Sequence, residues 1–184
     1  MRPRTVRLLL AAVVAVTGAL ALTHSAEAAG GGTTPAEAVP AAAVPAPLVP
    51  PAGNRLSAVF AATGVQVYRC TAGAWVFVEP AAHLVGVTTT AKPVTAVHFR
   101  GPSWESTDDG SLVEAAAVAN VPVTGSIPQL LLKATTTRGA GLFGDVTYVQ
   151  RLATSGGAAP AGECTDGRTE GVRYRAQYRF YRAA

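Results

Sequence analysis

Long apolar runs, cysteines and charges are all scarce in this chain, and each shortage excludes something. The one long uncharged apolar run spans residues 8–22. At about 15 residues it falls short of the roughly 20 that a helix needs to cross a bilayer core. Arg2, Arg4 and Arg7 precede it, and Ala26-Glu27-Ala28 places small residues at both key positions of a cleavage site. This is the layout of a secretory signal peptide over residues 1–28. No cysteine follows the run, which argues against a lipid-anchored lipoprotein. No second such run exists, so the exported protein is expected to be soluble, extracellular and without a transmembrane segment.

There are two cysteines, Cys70 and Cys164. Two thiolates do not complete a tetrahedral metal site, and no histidine lies at ligand spacing from either. In an oxidising compartment such a pair reads as one structural disulfide, with two free thiols as the alternative. Charge is equally thin, at 14% of residues. Removing residues 1–28 takes away three arginines and Glu27, which leaves 12 basic against 10 acidic groups. That balance does not point to nucleic acid.

What remains is rich in alanine, valine, glycine and proline. Residues 29–47 carry a single charge, Glu37, and read as an Ala/Pro/Gly-rich linker that cannot form a core. Residues 48–184 form the expected folded domain, long enough for a genuine core. Extended segments are expected at residues 55–62, 65–70, 74–78, 94–100, 111–119, 127–136, 145–153 and 171–182. Thr63-Gly64 reads as a turn between the first two, and Glu79-Pro80 as the stop of the third. About eight short strands with Gly, Pro and Asp punctuation imply one all-β domain, an antiparallel sandwich or barrel. In the last strand Val172, Tyr174, Ala176, Tyr178 and Phe180 share one face, with Arg173, Arg175, Gln177 and Arg179 on the other. Leu130-Leu131-Leu132 is apolar on both faces, so that strand should be covered on both sides.

The chemistry-bearing residues concentrate in one stretch, His98 to Ser111. A His-activated serine could draw on His98, Ser103 or Ser111, with Glu105, Asp108 or Asp109 orienting the imidazole. No Gly-x-Ser-x-Gly setting exists to support that extracellular hydrolase reading. Paired carboxylates for glycoside hydrolysis need to face each other across a cleft, which neighbours on a turn seldom do. His98 with the same carboxylates is too sparse a set for a metal motif, so no metal is expected. The purely structural reading makes His98 a donor to a backbone carbonyl and packs Trp104 under the turn, as in a cell-surface protein without a pocket. The favoured reading is binding without catalysis. Trp104, Trp75, His98, Gln66 and Tyr68 make a polar–aromatic set that suits a glycan, a small organic ligand or a cell-envelope component.

Several motifs occur in a fixed order: Gly64-Val65-Gln66-Val67-Tyr68-Arg69-Cys70, Trp75, Glu79-Pro80-Ala81, His98-Phe99-Arg100-Gly101-Pro102-Ser103-Trp104, Asp109-Gly110-Ser111, Ile127-Pro128, Tyr148-Val149-Gln150-Arg151 and Tyr174-Arg175-Ala176-Gln177-Tyr178. The series resembles DUF3455, a family of secreted bacterial and fungal proteins of unknown function, over roughly residues 45–182. The resemblance supports export and the cysteine pairing and implies no activity. It also implies a tryptophan after Ile127-Pro128, where this chain has Gln129; a pocket covered by that indole would here be more open or more polar. Gly139-Ala140-Gly141-Leu142-Phe143-Gly144 has the bare glycine spacing of a dinucleotide loop. It sits between two strands with no helix behind it, so it reads as a hairpin loop and no cofactor is expected.

Overall fold

The computed structural model describes residues 43–184. The expected signal peptide and most of the expected linker lie outside the described residues. Eight strands follow in order: β1 (Asn54–Thr71), β2 (Ala74–Thr88), β3 (Pro93–Phe99), β4 (Ser103–Ser106), β5 (Leu112–Val123), β6 (Ser126–Arg138), β7 (Val146–Gly156) and β8 (Thr169–Ala183). Each pairs antiparallel with the next, and β8 pairs back onto β1, so the sheet is a closed up-and-down barrel. Closure leaves no strand unpaired along its whole length, as the two end strands of an open sheet would be on one side. No helix among the described residues is long and apolar enough to cross a membrane.

The alternation expected in β8 is what turns the sheet into a barrel wall. Tyr174, Ala176, Tyr178 and Phe180 are buried inside, while Arg173 and Arg175 are exposed outside. The inward rows of the other strands add Phe60, Leu84, Trp104, Val113 and Val149 to one core. An eight-stranded barrel has an interior just wide enough for side chains to fill, or to hold one small ligand. One end is filled. There Phe180 packs 4.5 Å from Phe143 and 5.4 Å from Phe60, measured between ring centroids.

Phe143 comes from the β6–β7 loop, and an acidic turn holds it in place. Asp109 accepts hydrogen bonds from Ser111 N (2.9 Å), Ser111 Oγ (2.6 Å) and Leu142 N (2.9 Å). Ser111 Oγ in turn accepts from Phe143 N at 2.9 Å. Gly141 crosses directly over the carboxylate at φ +128°, where an added Cβ would lie 2.4 Å from Asp109 Oδ2. Partial burial alone would raise the Asp109 pKa, but the hydrogen bonds from Ser111, Leu142 and Ser106 bring it down to about 2. The Gly139–Gly144 segment is thus a loop that plugs the barrel.

Eight strands were expected and eight are observed, but they are not the same eight. Thr63-Gly64 is no turn, because β1 runs straight through it. Glycine serves there as a close-approach residue: a Cβ would fall 2.2 Å from the Ala81 carbonyl oxygen of β2. Pro80 does not stop β2 either. The register shifts between Val67 and Tyr68, opposite Glu79 and Phe77, so Val78 is bulged out just before the proline. The strand gained is β4, in the stretch read as a corner after Gly101-Pro102.

The two-faced β6 is covered on both sides, as expected. Leu132 joins the interior, while Leu131 packs outside with Leu152 and with Leu48, which a 3₁₀ turn (Ala46–Leu48) lays on the wall. Buried Gln150 fastens that turn, donating from Nε2 to the Leu48 carbonyl (2.6 Å) and accepting from Tyr181 Oη (2.7 Å). At the unfilled end Cys70, near the finish of β1, is disulfide-bonded to Cys164 in the β7–β8 loop, with a Cα–Cα distance of 5.8 Å. Its closed loop spans 94 residues. Breaking it, by reduction or by Cys164→Ser, should lower the free energy of unfolding by roughly 4–5 kcal/mol in the chain-entropy picture. Urea denaturation with and without reductant measures this; an unchanged midpoint would contradict it.

Candidate ligand-binding site

The site follows from unequal strand lengths. The β3–β4 hairpin stops at Arg100–Pro102, whereas its neighbours run on. β2 pairs with β3 only over Ala82–Val87, counted on its own residues, and β5 pairs with β4 only over Leu112–Glu114. Residues 74–81 of β2 and 116–123 of β5 therefore each have one side without a partner strand. Pro80 and Pro122 lie in those two segments and withhold the N–H that a bare strand edge would offer. The gap between them opens on a cavity of about 280 Å³ at the unfilled end of the barrel.

Its walls are apolar and aromatic, among them Phe77, Pro80, Ile127, Leu130, Leu132 and Tyr178, and its polar groups are few. Gln66 and Tyr68 reach it from the inward row of β1. Tyr68 Oη donates to the Gly157 carbonyl at 2.7 Å, which ties the β7–β8 loop to the rim. His98 and Trp104 are direct cross-strand partners on β3 and β4. That register stacks their rings 4.3 Å apart at 2°, with the edge of Tyr178 against both.

His98 is 3% exposed. Its Nδ1 sits 2.9 Å from the Ser103 carbonyl oxygen and so carries the proton, leaving Nε2 as a lone-pair acceptor. Burial pulls its pKa down to about 3; the bond to Ser103 opposes this and the Arg151 charge adds to it. The ring is neutral at pH 7. Burial likewise raises the phenols of Tyr68, Tyr174 and Tyr178, although the Arg151 charge works against the rise in all three.

Two donors in this lining have no partner. Gln66 Nε2 and Trp104 Nε1 are both buried without a hydrogen-bond acceptor. Leaving a buried donor unmade costs about 1–3 kcal/mol each, and native structures hold only a few such groups.

Of the residues singled out in the sequence, His98, Trp104, Gln66 and Tyr68 converge on this one cavity. Trp75 does not. It lies further along β2, under the Arg168 guanidinium (5.8 Å) and in a separate depression with Pro160 and Glu163. Glu105 pairs with Arg138 at 3.1 Å, because it alternates with Trp104 and faces outward. Asp109 serves the plug at the opposite end of the barrel, and Asp108 accepts from Thr95 N. Ser103 Oγ donates to the Arg100 carbonyl and Ser111 Oγ to Asp109, so neither serine is held by His98. The serine–histidine–carboxylate arrangement therefore does not form. Among the described residues no three His, Cys, Asp or Glu side chains gather as a metal site.

Gln129 also stands apart from the cavity. It lines an outer depression with Leu152 and Thr154 and accepts from Ala153 N at 3.2 Å. The substitution expected to open the pocket lies on the other face of β6.

The residue that sequence reasoning passed over is Arg151. On β7 it alternates with Gln150 and Leu152, which face outward, and shares the inward row with Val149. Its strand partners are Leu130 and Tyr178, and it lines the cavity with them. That parity was available in the sequence from Val149.

A family model described as "Protein of unknown function (DUF3455)" matches residues 51–182. No curated protein and no solved structure matches the chain.

The buried imidazole makes stability depend on pH in a definite direction. Its folded pKa lies below the unfolded value of about 6.5, so unfolding takes up a proton. The contribution is complete above pH 6.5 and is lost as pH falls toward 3, at up to about 1.4 kcal/mol per pH unit from this group. Urea denaturation between pH 6.5 and 5 should show the fall, and His98→Gln should flatten it. An equal slope in the variant would contradict the assignment.

Proposed function

The chain belongs to the DUF3455 family, and from that premise we propose that it is an exported, non-catalytic protein that binds a small organic molecule in the open end of its barrel. One observation carries the reading: a cavity two of whose lining residues, Gln66 and Trp104, hold buried N–H groups that have no acceptor. A ligand oxygen would satisfy them, and the stacked His98–Trp104 pair with Tyr178 offers aromatic surface to its body.

Export is supported by the signal-like residues 1–28 and by the disulfide, which belongs to an oxidising compartment. Size narrows the ligand. At about 280 Å³ the cavity falls at the small end of ligand sites, which span roughly 300–1,000 Å³. A molecule of one or two rings fits that volume, whereas a glycan chain or polymer surface does not. The hydrolase alternative centred on His98 has no nucleophile or carboxylate beside the imidazole. The purely structural alternative leaves the cavity and its unpaired donors without a purpose.

Titration calorimetry with 2-naphthylmethanol, a neutral two-ring probe, tests the pocket. Binding should be one-to-one with a Kd on the order of 100 μM, the range that ligand-efficiency bounds allow for so small a molecule. Ala117→Trp, a substitution at an exposed position of the rim, should weaken it about ten-fold. No binding at millimolar probe, or binding indifferent to Ala117→Trp, would overturn the reading.

A further inference from the structure

We infer that the ligand is an organic anion, an apolar body bearing a carboxylate, whose charged end docks on Arg151. This rests on the pocket reading above and goes beyond it by fixing the charge and polarity of what is bound.

Arg151 is a permanent cation on the inner face of a barrel. It is half-buried there, and a guanidinium partly withdrawn from water is favoured by a counter-charge. Among the described residues, four arginines have carboxylate partners: Arg100 with Glu79, Arg138 with Glu105, Arg168 with Glu170 and Arg182 with Asp145. Arg151 is not among them, and no Asp or Glu lines the cavity it faces. Its Nε donates to the Pro128 carbonyl at 3.0 Å. That bond holds the guanidinium beside the Tyr178 phenol, where a carboxylate could meet it in a fork.

The other polar groups agree in sign. Gln66 Nε2 and Trp104 Nε1 are donors awaiting acceptors. The Tyr68 hydroxyl already donates its hydrogen bond to the Gly157 carbonyl. A neutral imidazole supplies the one ring acceptor, and its depressed basicity keeps it from adding a second cation at pH 7. A ligand cation would meet Arg151 without an opposing carboxylate, whereas an anion meets a guanidinium and two N–H groups. The rest of the lining, Phe77, Ile127, Leu130 and Leu132 among it, offers no polar side-chain atom, so the remainder of the ligand must be apolar.

A matched pair separates this inference from the pocket reading. 2-Naphthoate and 2-naphthylmethanol share a body and differ in the charged end. By calorimetry at pH 7 the intact protein should bind the acid at least about ten-fold more tightly than the alcohol, as a charge-assisted fork implies. Arg151→Gln should abolish that preference, bringing the ratio of acid to alcohol affinity to about one. Arg151→Lys, which keeps the charge and loses the fork, should retain part of it and serves if the glutamine variant fails to fold. Equal affinity for acid and alcohol in the unaltered protein would overturn the anion inference and leave the pocket reading standing. Failure of both to bind would overturn both. An acid preference that persists in Arg151→Gln would overturn the assignment to Arg151.

Discussion

Everything in this molecule depends on the two-residue alternation of a closed sheet. Once β8 pairs with β1, every second side chain of all eight strands is committed to one narrow interior. Where those side chains are Phe60, Phe180 and the inserted Phe143, the interior is filled. Where they are Gln66, His98, Trp104 and Arg151, the same rule draws polar groups inward beside a hairpin too short to cover them. The cavity is the consequence of a regular fold with one short hairpin in it.

The two ends of the barrel are built differently. At the sealed end Asp109 gathers hydrogen bonds from Ser111 and Leu142, and the loop they anchor delivers Phe143 to the core. At the open end two buried donors lack acceptors, each an unfavourable contribution to folding, and Arg151 has no carboxylate partner. The disulfide to the β7–β8 loop, the Tyr68 bond to Gly157 and the leucine cluster around Leu48 offset that cost from outside the cavity.

Much of this was legible in the sequence because it depended on alternation and local chemistry. The inward face of β8, the doubly covered β6, the cysteine pair and a loop rather than a dinucleotide turn at Gly139–Gly144 all read correctly. Four pocket residues were legible because each lies on an inward row near the ends of β1, β3 and β4. Strand lengths were not legible. Gly64 and Pro80 punctuate a local reading, yet pairing with distant strands runs β1 through the glycine and a bulge at Val78 admits the proline. The same bulge turns Phe77 inward: counted back from Pro80 by strict alternation it would face solvent. Trp75 was grouped with the pocket, but it stands at the start of β2, beside the β7–β8 loop and away from the cavity. Arg151 was missed because an arginine in a strand is read first as solvated.

The central claim is that Trp104 holds an indole N–H in readiness for a ligand acceptor. Proton–nitrogen correlation NMR of the two tryptophan indoles during a titration with 2-naphthoate observes that atom directly. The account predicts a saturable downfield shift of the Trp104 Nε1–H resonance, with that of Trp75 unmoved. A Trp104 resonance that stays fixed while the ligand is bound, or a shift confined to Trp75, would contradict it.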